Sequence, residues 1–423
     1  MTTLDSIGRS IEHDDPEDLR VEAARAFLLS MVTPLMDQES VALDAALGRT
    51  LAADLVSPLD IPPTDSAAMD GYAFDGAQLQ SGGPLTLLAA SGTALAGTPW
   101  PDTLASGCCV RIMTGAAMPT GADTVVAQEY VHHEGDSIRF DTTRLVPGAN
   151  CRRRGEDLQA GQVALPRGQA LSPAALGLAA SLGTPQLPVL RRPRVACFST
   201  GDELIAPGEP RRPGAIYDAN RYALCALLRQ LGCEVRDLGA VPDQPEALEA
   251  AFRGATPDAD VILTSGGVSA GDADHTRSIM RKLGDVVFWK LAMRPGRPMA
   301  VGRIDRALLF GLPGNPVAAM VSFMVLVRPA LLKLMGRDSG PAPLLKVRSA
   351  QSLPKKPGRT EYQRGFLSRD PQGQHMVRST GSQGSANLQS MVQANALIVL
   401  QQDQGTVQPG DLVDVMPLPE AGS

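Results

Sequence analysis

The residues best suited to chemistry lie in the stretch from Asp258 to Asp274, which reads DADVILTSGGVSAGDAD. Its apolar run Val261–Leu263 predicts a buried strand, and two adjacent glycines follow within a loop. Glycines at the carboxyl end of a strand let the backbone turn sharply and approach a ligand closely. Hydroxyl groups and a following helix start suit phosphate or another oxyanion, although an ordinary strand-to-helix turn is the competing interpretation. The predicted ligand-binding residues are Ser265, Gly266, Gly267 and Ser269.

Carboxylates stand at strand ends and tight turns elsewhere in the chain. They are Asp70 in MDGY, Glu203 in GDE, Asp243 after a predicted strand, and Asp274 at the close of the glycine loop. Because like charges repel, carboxylates suit an anionic ligand only as general bases or as Mg²⁺ ligands that bridge to phosphate oxygens. The competing interpretation is structural, since Asp274 would cap a helix and Asp70 would shape a turn.

The segment WKLAMRPGRP carries the cations Lys290, Arg294 and Arg297 around a Pro-Gly turn. A clustered positive corner of this kind suits phosphate or another oxyanion. A solvated charge run is the alternative, but the apolar residues between the charges argue against a solvent-facing segment. Arg364, in YQRG near the end of the chain, is a further candidate for anion binding.

These residues need a scaffold that brings distant loops together, and the pattern from Pro193 onward predicts one. Strands and helices alternate there at a spacing typical of an α/β fold with a doubly wound, mainly parallel sheet. Ligands of such sheets bind beyond the carboxyl ends of the strands. The candidate stretches fall at predicted strand ends, namely 199–203, 264–274, 290 onward and 311–316, the last with Pro313 and Pro316.

Predicted secondary structure and local composition divide the rest of the chain into segments. Helices are predicted at 21–31 and at about 41–47, a Gly- and Pro-rich β texture begins near residue 52, and a Gly-Pro-Ala-Pro linker follows residue 338. We predict a discontinuous helical/β N-terminal domain (1–51 and 147–190), a β-rich insertion domain (52–146), an α/β domain (191–337) and a C-terminal β domain with a barrel-like or sandwich fold (338–423).

Composition narrows the function classes. The 423 residues are 43% hydrophobic, 20% charged and only 4% aromatic, with a net charge of −6. Neither the charge nor the few aromatic residues favour nucleic acid, which needs positive patches and stacking side chains. The six cysteines form no C-x-x-C pair, and the acidic N-terminal segment does not resemble a signal peptide. A reduced cytoplasmic protein is therefore expected. The apolar run 317–327 is too short to cross a bilayer, so no membrane association is expected.

Taken together, the motifs resemble those of the MoeA family of molybdopterin molybdenumtransferases, which share their catalytic architecture with the E domain of gephyrin and of its plant counterpart. Many motifs in order make the resemblance specific, and they span most of the chain. They are SPLDIPPTDSAAMDGYA, RIMTGAAMPTGAD, RRRGED, FSTGDEL, IYDANR, LTSGGVSAGDAD, FWKLAMRPGRP, GLPGNP, YQRG and TGSQGS.

The resemblance implies an elongated multidomain homodimer whose α/β domain binds molybdopterin and whose active site is shared between subunits. The implied reaction joins molybdate to adenylylated molybdopterin: the phosphoanhydride is cleaved, AMP leaves, and the dithiolene sulfurs take the molybdenum with the help of Mg²⁺. Molybdopterin adenylyltransferase and molybdoenzymes are the implied partners.

The resemblance also implies roles for individual residues. Asp243 and Asp274 would handle Mg²⁺ and substrate, Lys290, Arg294 and Arg364 would hold anionic oxygens, and Asp70 and Thr114 would act from the neighbouring subunit. Asp157, Glu203 and Ser385 are further catalytic candidates, and Arg297 joins the cofactor-binding group. The family often carries lysines in a KPGKP segment, whereas this chain has Arg294 and Arg297. Since arginine stays protonated, anion anchoring suits these two positions and proton transfer does not.

Two other classes of function compete with this interpretation. The same type of α/β domain occurs in molybdopterin adenylyltransferases and in CinA-like enzymes, but the former lack the insertion and the C-terminal domain. CinA-like chains usually read GPT after the glycines, where this chain has Val268-Ser269-Ala270. A non-enzymatic molybdopterin- or nucleotide-binding scaffold would normally carry an extra fused domain and a long linker.

We predict that Asp274→Ala and Lys290→Ala each abolish molybdenum insertion while the protein stays folded, because each removes a charge that the reaction needs. Reconstitution of a molybdoenzyme measures insertion, and circular dichroism checks the fold. Wild-type insertion by either variant would contradict the assignment of that residue.

Overall fold

A computed structural model gives the fold of the chain. It describes residues 18–79, 83–268, 275–337, 340 and 342–418. The contact pattern separates two compact units. Of the described residues, the insertion unit comprises 40–47 and 51–188, and the α/β-barrel unit comprises 18–39, 48–50 and those from 189 onward.

The first part of the chain is mainly β-structure. Its helices are α1 (Val21–Met31) and α2 (Pro173–Ser181), and its strands are β1 (Gln38–Ala42), β2 (Leu55–Val56), β3 (Ser66–Ala67), β4 (Gly71–Phe74), β5 (Pro84–Ala94), β6 (Cys108–Ile112), β7 (Thr124–Ala127), β8 (His132–Glu134), β9 (Ser137–Asp141), β10 (Cys151–Arg152), β11 (Val163–Leu165) and β12 (Gln186–Leu190). Six of them form one sheet in the order β7-β4-β6-β5-β9-β8. The predicted β-rich insertion is therefore confirmed as a fold.

The second part alternates strands and helices before it becomes all-β. Its helices are α3 (Asn220–Leu231), α4 (Pro245–Ala255), α5 (His275–Leu283), α6 (Pro316–Ser322), α7 (Arg328–Leu334) and α8 (Leu388–Gln393). Its strands are β13 (Arg194–Thr200), β14 (Leu204–Ile205), β15 (Ile216–Tyr217), β16 (Glu234–Val241), β17 (Val261–Ser265), β18 (Gly284–Lys290), β19 (Met293–Arg294), β20 (Pro298–Ile304), β21 (Ala307–Leu312), β22 (Leu345–Ser349), β23 (Thr360–Arg369), β24 (His375–Ser379), β25 (Ala396–Leu400) and β26 (Leu412–Pro417).

The central strands β13, β17 and β21 are buried on both faces, which explains their largely apolar sequences. Along β17, Val261 and Leu263 pack into one hydrophobic cluster and Ile262 into the other. The first cluster includes Leu224 of α3, and the second includes Phe252 of α4. Side chains alternate between the faces of a strand, so a strand between two helical layers needs apolar residues at every position. The predicted doubly wound α/β fold is confirmed.

The order of the strands determines which segments lie together at the carboxyl edge of the sheet, where ligands of such folds bind. The sheet reads β16-β13-β17-β21-β20-β18, with parallel pairing from β16 to β21 and antiparallel pairing of β20 with both neighbours. Because β20 alone is reversed, the start of β20 and the end of β18 lie at the carboxyl edge of the parallel strands. The sequence pattern predicts no strand at β20 and indicates only a turn with cations in the RPGRP segment.

The end of the chain forms a closed five-stranded barrel. Neighbouring strands pair in the order β23-β24-β22-β26-β25, and β25 also pairs with β23, which closes the ring. Its core contains Val347, Val377, Ile398 and Val415. The predicted barrel-like C-terminal domain is confirmed.

Pro316–Leu334 forms one long apolar helix in which a π-helical segment, Phe323–Val327, joins α6 to α7. Among the described residues it is the one helix long and apolar enough to span a bilayer, but 78% of its most apolar window is buried inside the protein. Burial of this kind is typical of a core helix.

One predicted helix is wrong. The residues around 41–47 form the end of β1 and a single 3₁₀ turn, Leu43–Ala45. Seven residues are too few to support a helix without strong tertiary packing, and the 3₁₀ turn contributes no buried residue. The four-domain boundaries stay a prediction.

Asp260, immediately before β17, joins two segments of the α/β-barrel unit. Arg191 donates two hydrogen bonds to its carboxylate at 2.6 and 2.7 Å, and the Arg194 N–H donates a third at 2.8 Å. Burial alone would raise the pKa of Asp260, but these donors outweigh it and hold the pKa below its ordinary value. A depressed folded pKa stabilises the fold above the ordinary carboxyl pKa, and this stabilisation is lost as the pH falls through the folded value.

We predict that Asp260→Asn lowers the free energy of unfolding by about 2 kcal/mol at pH 7, because the guanidinium loses its charged acceptor. The difference from wild type should shrink near pH 3, where the carboxyl of the wild type takes up a proton on unfolding. Calorimetry at both pH values measures this, and Asp258→Asn, an exposed neighbour, is the control. A difference independent of pH would contradict the prediction.

Candidate functional site

A cavity of ≈ 990 Å³ opens at the carboxyl edge of the α/β sheet. Loops after β13, β16, β17 and β21 line it, together with the RPGRP segment and two loops of the barrel. The structure brings many of the predicted residues together in its wall: Glu203, Asp243, Ser265, Gly266, Gly267, Arg294, Arg297, Pro313, Pro316 and Ser385. Convergence of polar groups in a large cleft of an α/β sheet is typical of a ligand site.

The middle of the wall requires glycine. Gly266 has φ +95°, and a Cβ there would lie 2.5 Å from the carbonyl oxygen of Thr200. Its N–H donates to the Leu312 carbonyl at 3.0 Å, so this amide serves the neighbouring strand rather than a ligand. A Cβ on Gly314 would lie 3.8 Å from the Gly266 Cα, so the two loops are in contact. The glycines thus let three loops approach one another.

Asn220, at the start of α3, fixes these loops by side-chain hydrogen bonds. Its Nδ2 donates to Ser265 Oγ at 2.7 Å and to the Gly314 carbonyl at 2.7 Å. Ser265 Oγ also lies 3.2 Å from the Pro313 carbonyl, to which it donates. Sequence reasoning assigned no role to Asn220, although the IYDANR motif contains it. Ser265 is thereby part of the wall's internal bonding.

A buried ion pair between Asp218 and Arg221 stabilises the start of α3. Asp218 is almost fully buried and accepts from Ser199 Oγ at 3.0 Å and from Arg221 Nε at 2.9 Å. Arg221 donates in turn to Asp237 at 2.6 Å, and this contact helps to hold the pKa of Asp237 below its ordinary value against the effect of burial. Because its carboxylate is bonded to Ser199 and Arg221, Asp218 lines the cavity with its hydrogen-bonding oxygens already in use.

The acids that face the cavity follow the strands at one side of the sheet. Asp243 follows β16, and its carboxylate accepts from Thr276 Oγ1 at 3.3 Å while its N–H donates to Asp202 at 3.1 Å. Glu203 follows β13 and is exposed. Neither carboxylate has a cationic partner within the described residues.

The cations stand at the other side of the sheet. Arg294 Nη1 lies 3.7 Å from Glu361, and Arg297 Nε donates to Asp18 at 2.8 Å. Lys290, at the end of β18, is exposed and lies outside the cavity lining. Arg359, for which the sequence suggested no role, does line the cavity.

Arg364, predicted to hold anionic oxygens, is buried in the barrel. It is only 1% exposed, donates to Ser390 Oγ at 3.0 Å and to the Gly384 carbonyl at 2.9 Å, and does not line the cavity. Burial lowers the pKa of Arg364 to about 10, and the charge of Arg294 adds to the effect. Arg364 therefore holds the 382–385 loop, whose members Gln383, Gly384 and Ser385 face the cavity.

The remaining predicted residues lie elsewhere. In the insertion unit, Asp70 accepts from Thr114 Oγ1 at 2.6 Å and from Thr114 N–H at 2.7 Å, and these bonds hold the pKa of Asp70 below its ordinary value. Asp157 is exposed in the same unit, where Arg152 pairs with Glu156 rather than with Asp157. The predictions for Ser269 and Asp274 concern residues outside those that the structure describes.

The sequence analysis assigns no role to several polar residues of the wall, namely Tyr217, Asp218, Asn220, Arg359 and Gln383. The IYDANR motif, which carries three of them, was the available signal, but its spacing shows no specific chemistry. Arg359 and Gln383 belong to the barrel, and only tertiary structure brings them to the α/β sheet.

Three family regions match the chain in order. They are the MoeA N-terminal region (domain I and II) over residues 19–183, the probable molybdopterin binding domain over 196–333, and the MoeA C-terminal region (domain IV) over 346–418.

Curated relatives match over almost the full chain. A molybdopterin molybdenumtransferase of Haemophilus influenzae is 42% identical over 400 residues, covering 94% of this chain and 98% of the relative. One of Nostoc sp. is 39% identical over 390 residues, covering 90% and 89%. Among solved structures, the molybdopterin biosynthesis moeA protein of Pyrococcus horikoshii aligns with TM-score 0.82 at 28% identity, covering 95% of this chain and 100% of that one.

We predict that Gly266→Ala destabilises the protein by about 2 kcal/mol, because alanine is strained at this φ and its Cβ meets the Thr200 carbonyl. Thermal unfolding measures the change. Gly254→Ala is the matched control, since Gly254 lies in α4 with open space around a Cβ, and helix propensity favours alanine there. Equal stability of the two variants would show that the close approach does not need glycine.

Proposed function

The chain belongs to the MoeA family of molybdopterin molybdenumtransferases, enzymes of molybdenum cofactor biosynthesis, and from that premise we propose that it transfers molybdenum from molybdate to adenylylated molybdopterin with release of AMP. The observation that carries the proposal is the order of groups along the cavity. Both proposed substrates are anions, and the molybdopterin nucleotide is a long molecule with a phosphoanhydride at its centre.

The strand order sorts the cavity into three zones. Asp243 and Glu203 follow the strands at one side, Gly266 and Gly314 lie at the centre, and Arg294 and Arg297 stand by β20 at the other side. With strands about 4.8 Å apart, the five strands from β16 to β20 span roughly 19 Å, enough for an extended nucleotide. The arginines would hold anionic oxygens by charge-assisted hydrogen bonds, and the tight central turn would let the phosphoanhydride lie close to the backbone.

Asp243 fits a Mg²⁺ ligand that acts together with substrate phosphate. Mg²⁺ in nucleotide sites uses one or two carboxylates, several waters and the phosphate oxygens, rather than a complete protein cage. Thr276 and Asp202 orient the Asp243 residue, and Asp274 would supply the second carboxylate. When bound, Mg²⁺ would neutralise charge that develops on the leaving AMP.

The insertion unit would complete the site from a second subunit. Asp70 and Thr114 form a preorganised pair, since two hydrogen bonds fix the carboxylate. Together with Asp157 they carry the family motifs of this unit, so we propose a cytoplasmic homodimer with a shared active site. A molybdopterin adenylyltransferase would supply the substrate, and molybdoenzymes would receive the product.

The test mixes the purified protein with adenylylated molybdopterin, molybdate and Mg²⁺, and follows AMP by chromatography and the product by reconstitution of an apo-molybdoenzyme. Release of AMP that depends on molybdate and Mg²⁺ supports the proposal. Tight binding of the nucleotide without AMP release would favour the scaffold alternative. Light scattering tests the dimer separately, and a stable monomer would contradict the shared site.

We predict that Asp243→Asn slows AMP release at least about 100-fold and raises the Mg²⁺ concentration needed for activity, since the amide is a poor ligand for a hard cation. Asp258→Asn, which removes the same charge at the opposite edge of the sheet, should leave the rate unchanged. A wild-type rate and Mg²⁺ dependence for Asp243→Asn would remove Asp243 from the metal site.

A further inference from the structure

Arg359 is the third arginine of the cavity wall, and it comes from the barrel. We propose that Arg359 is a further substrate-binding residue that holds a tetrahedral oxyanion, either a phosphate of the nucleotide or molybdate. The inference rests on the proposed function in the choice of these two anions, but its physical basis is separate. That basis is the charge balance of the wall and the backbone around Arg359.

The other two arginines of the cavity wall are partly neutralised by carboxylates. Arg297 is hydrogen-bonded to Asp18 at 2.8 Å, and Arg294 lies 3.7 Å from Glu361. Within the described residues, Arg359 has neither an ion pair nor a side-chain hydrogen bond, and it is exposed. A cation without a carboxylate neighbour gives an incoming anion its full charge, because no existing salt bridge has to be weakened.

The backbone on both sides of Arg359 is fixed. The Thr360 N–H donates to the Ala292 carbonyl at 2.8 Å, and the Gly358 N–H donates to the Gln402 carbonyl at 2.8 Å. Thr360 pairs with Met293 in the parallel ladder of β23 and β19, so the barrel is bonded to the segment that carries Arg294. Because the loop is already fixed, only the side chain of Arg359 has to become ordered when an anion binds.

The side chain of Arg359 is accessible from the cavity. Thr360, the first residue of β23, is 1% exposed, whereas Arg359 in the bend before it is exposed and lines the cavity. A guanidinium presents a rigid fork of donors that matches two oxygens of a tetrahedral anion. Phosphate and molybdate share this geometry, so the arrangement defines the ligand class and leaves its source to experiment.

The experiment compares Arg359→Gln and Arg359→Lys in the full-length protein. Binding of AMP and of molybdate is measured separately by calorimetry, and KM and kcat are measured for each substrate of the AMP-release reaction. The control is Arg348→Gln, because Arg348 is an exposed barrel arginine that donates to the Gly410 carbonyl at 2.9 Å and does not line the cavity.

We expect Arg359→Gln to lower the affinity for one of the two anions by about ten- to a hundredfold. This is the range for the loss of a charge-assisted contact. The KM of that substrate should rise with little change in kcat, and the thermal midpoint should stay at the wild-type value. Arg359→Lys should recover part of the affinity, since it keeps the charge and loses the fork. Weaker AMP binding identifies phosphate, and weaker molybdate binding identifies molybdate.

Unchanged affinity for both anions, or a loss no larger than that of Arg348→Gln, would overturn the proposal. A drop in kcat alone, or a lower thermal midpoint with equal loss for the lysine variant, would also overturn it, because either result indicates a structural role. A failure of the proposed reaction can be distinguished from a failure of this proposal. If wild type releases no AMP, the two binding measurements still decide whether Arg359 holds an anion.

Discussion

The cavity depends on two hydrogen bonds from one amide group. Asn220 donates from Nδ2 to Ser265 Oγ and to the Gly314 carbonyl, both at 2.7 Å, and thereby joins the loops after β17 and β21 to the start of α3. Asp218, buried and paired with Arg221, fixes that helix start. Because Gly266 has no side chain, the same loops can approach the Thr200 carbonyl. The site is thus held by polar contacts among three loops that follow separate strands, and the apolar sheet beneath supplies the rigid base.

The barrel contributes to the α/β site through its internal bonding as well as its surface. Arg364 is buried and binds the Gly384 carbonyl, and the Val317 N–H at the start of α6 donates to the Ser385 carbonyl at 3.0 Å. The 382–385 loop is therefore held from both sides, by the barrel and by the core helix. Arg364, a predicted anion ligand, thus supports the loop that lines the cavity.

Charge separation along the sheet follows from topology rather than from local sequence. The acids follow β13 and β16, while Arg294 and Arg297 precede the reversed strand β20. A reversed strand places its first residues at the edge where its neighbours end, so the RPGRP turn reaches the same cavity as the acids. This arrangement suits a long anionic substrate that meets cations at one side and a carboxylate-bound metal at the other.

The sequence by itself determined the fold class, the buried strands and the family, since apolar periodicity and ordered motifs are local properties. It also identified most of the residues that meet at the carboxyl edge, because strand ends are visible as apolar runs that stop at glycine, proline or a carboxylate. Only the tertiary structure decided which side chains are already engaged in hydrogen bonds or ion pairs. The contacts of Arg297 with Asp18, of Arg364 with Gly384 and of Asn220 with Gly314 join residues far apart in the chain, and the position of Arg359 in the wall depends on the pairing of β23 with β19. Such pairings depend on register and strand order, which no local pattern encodes.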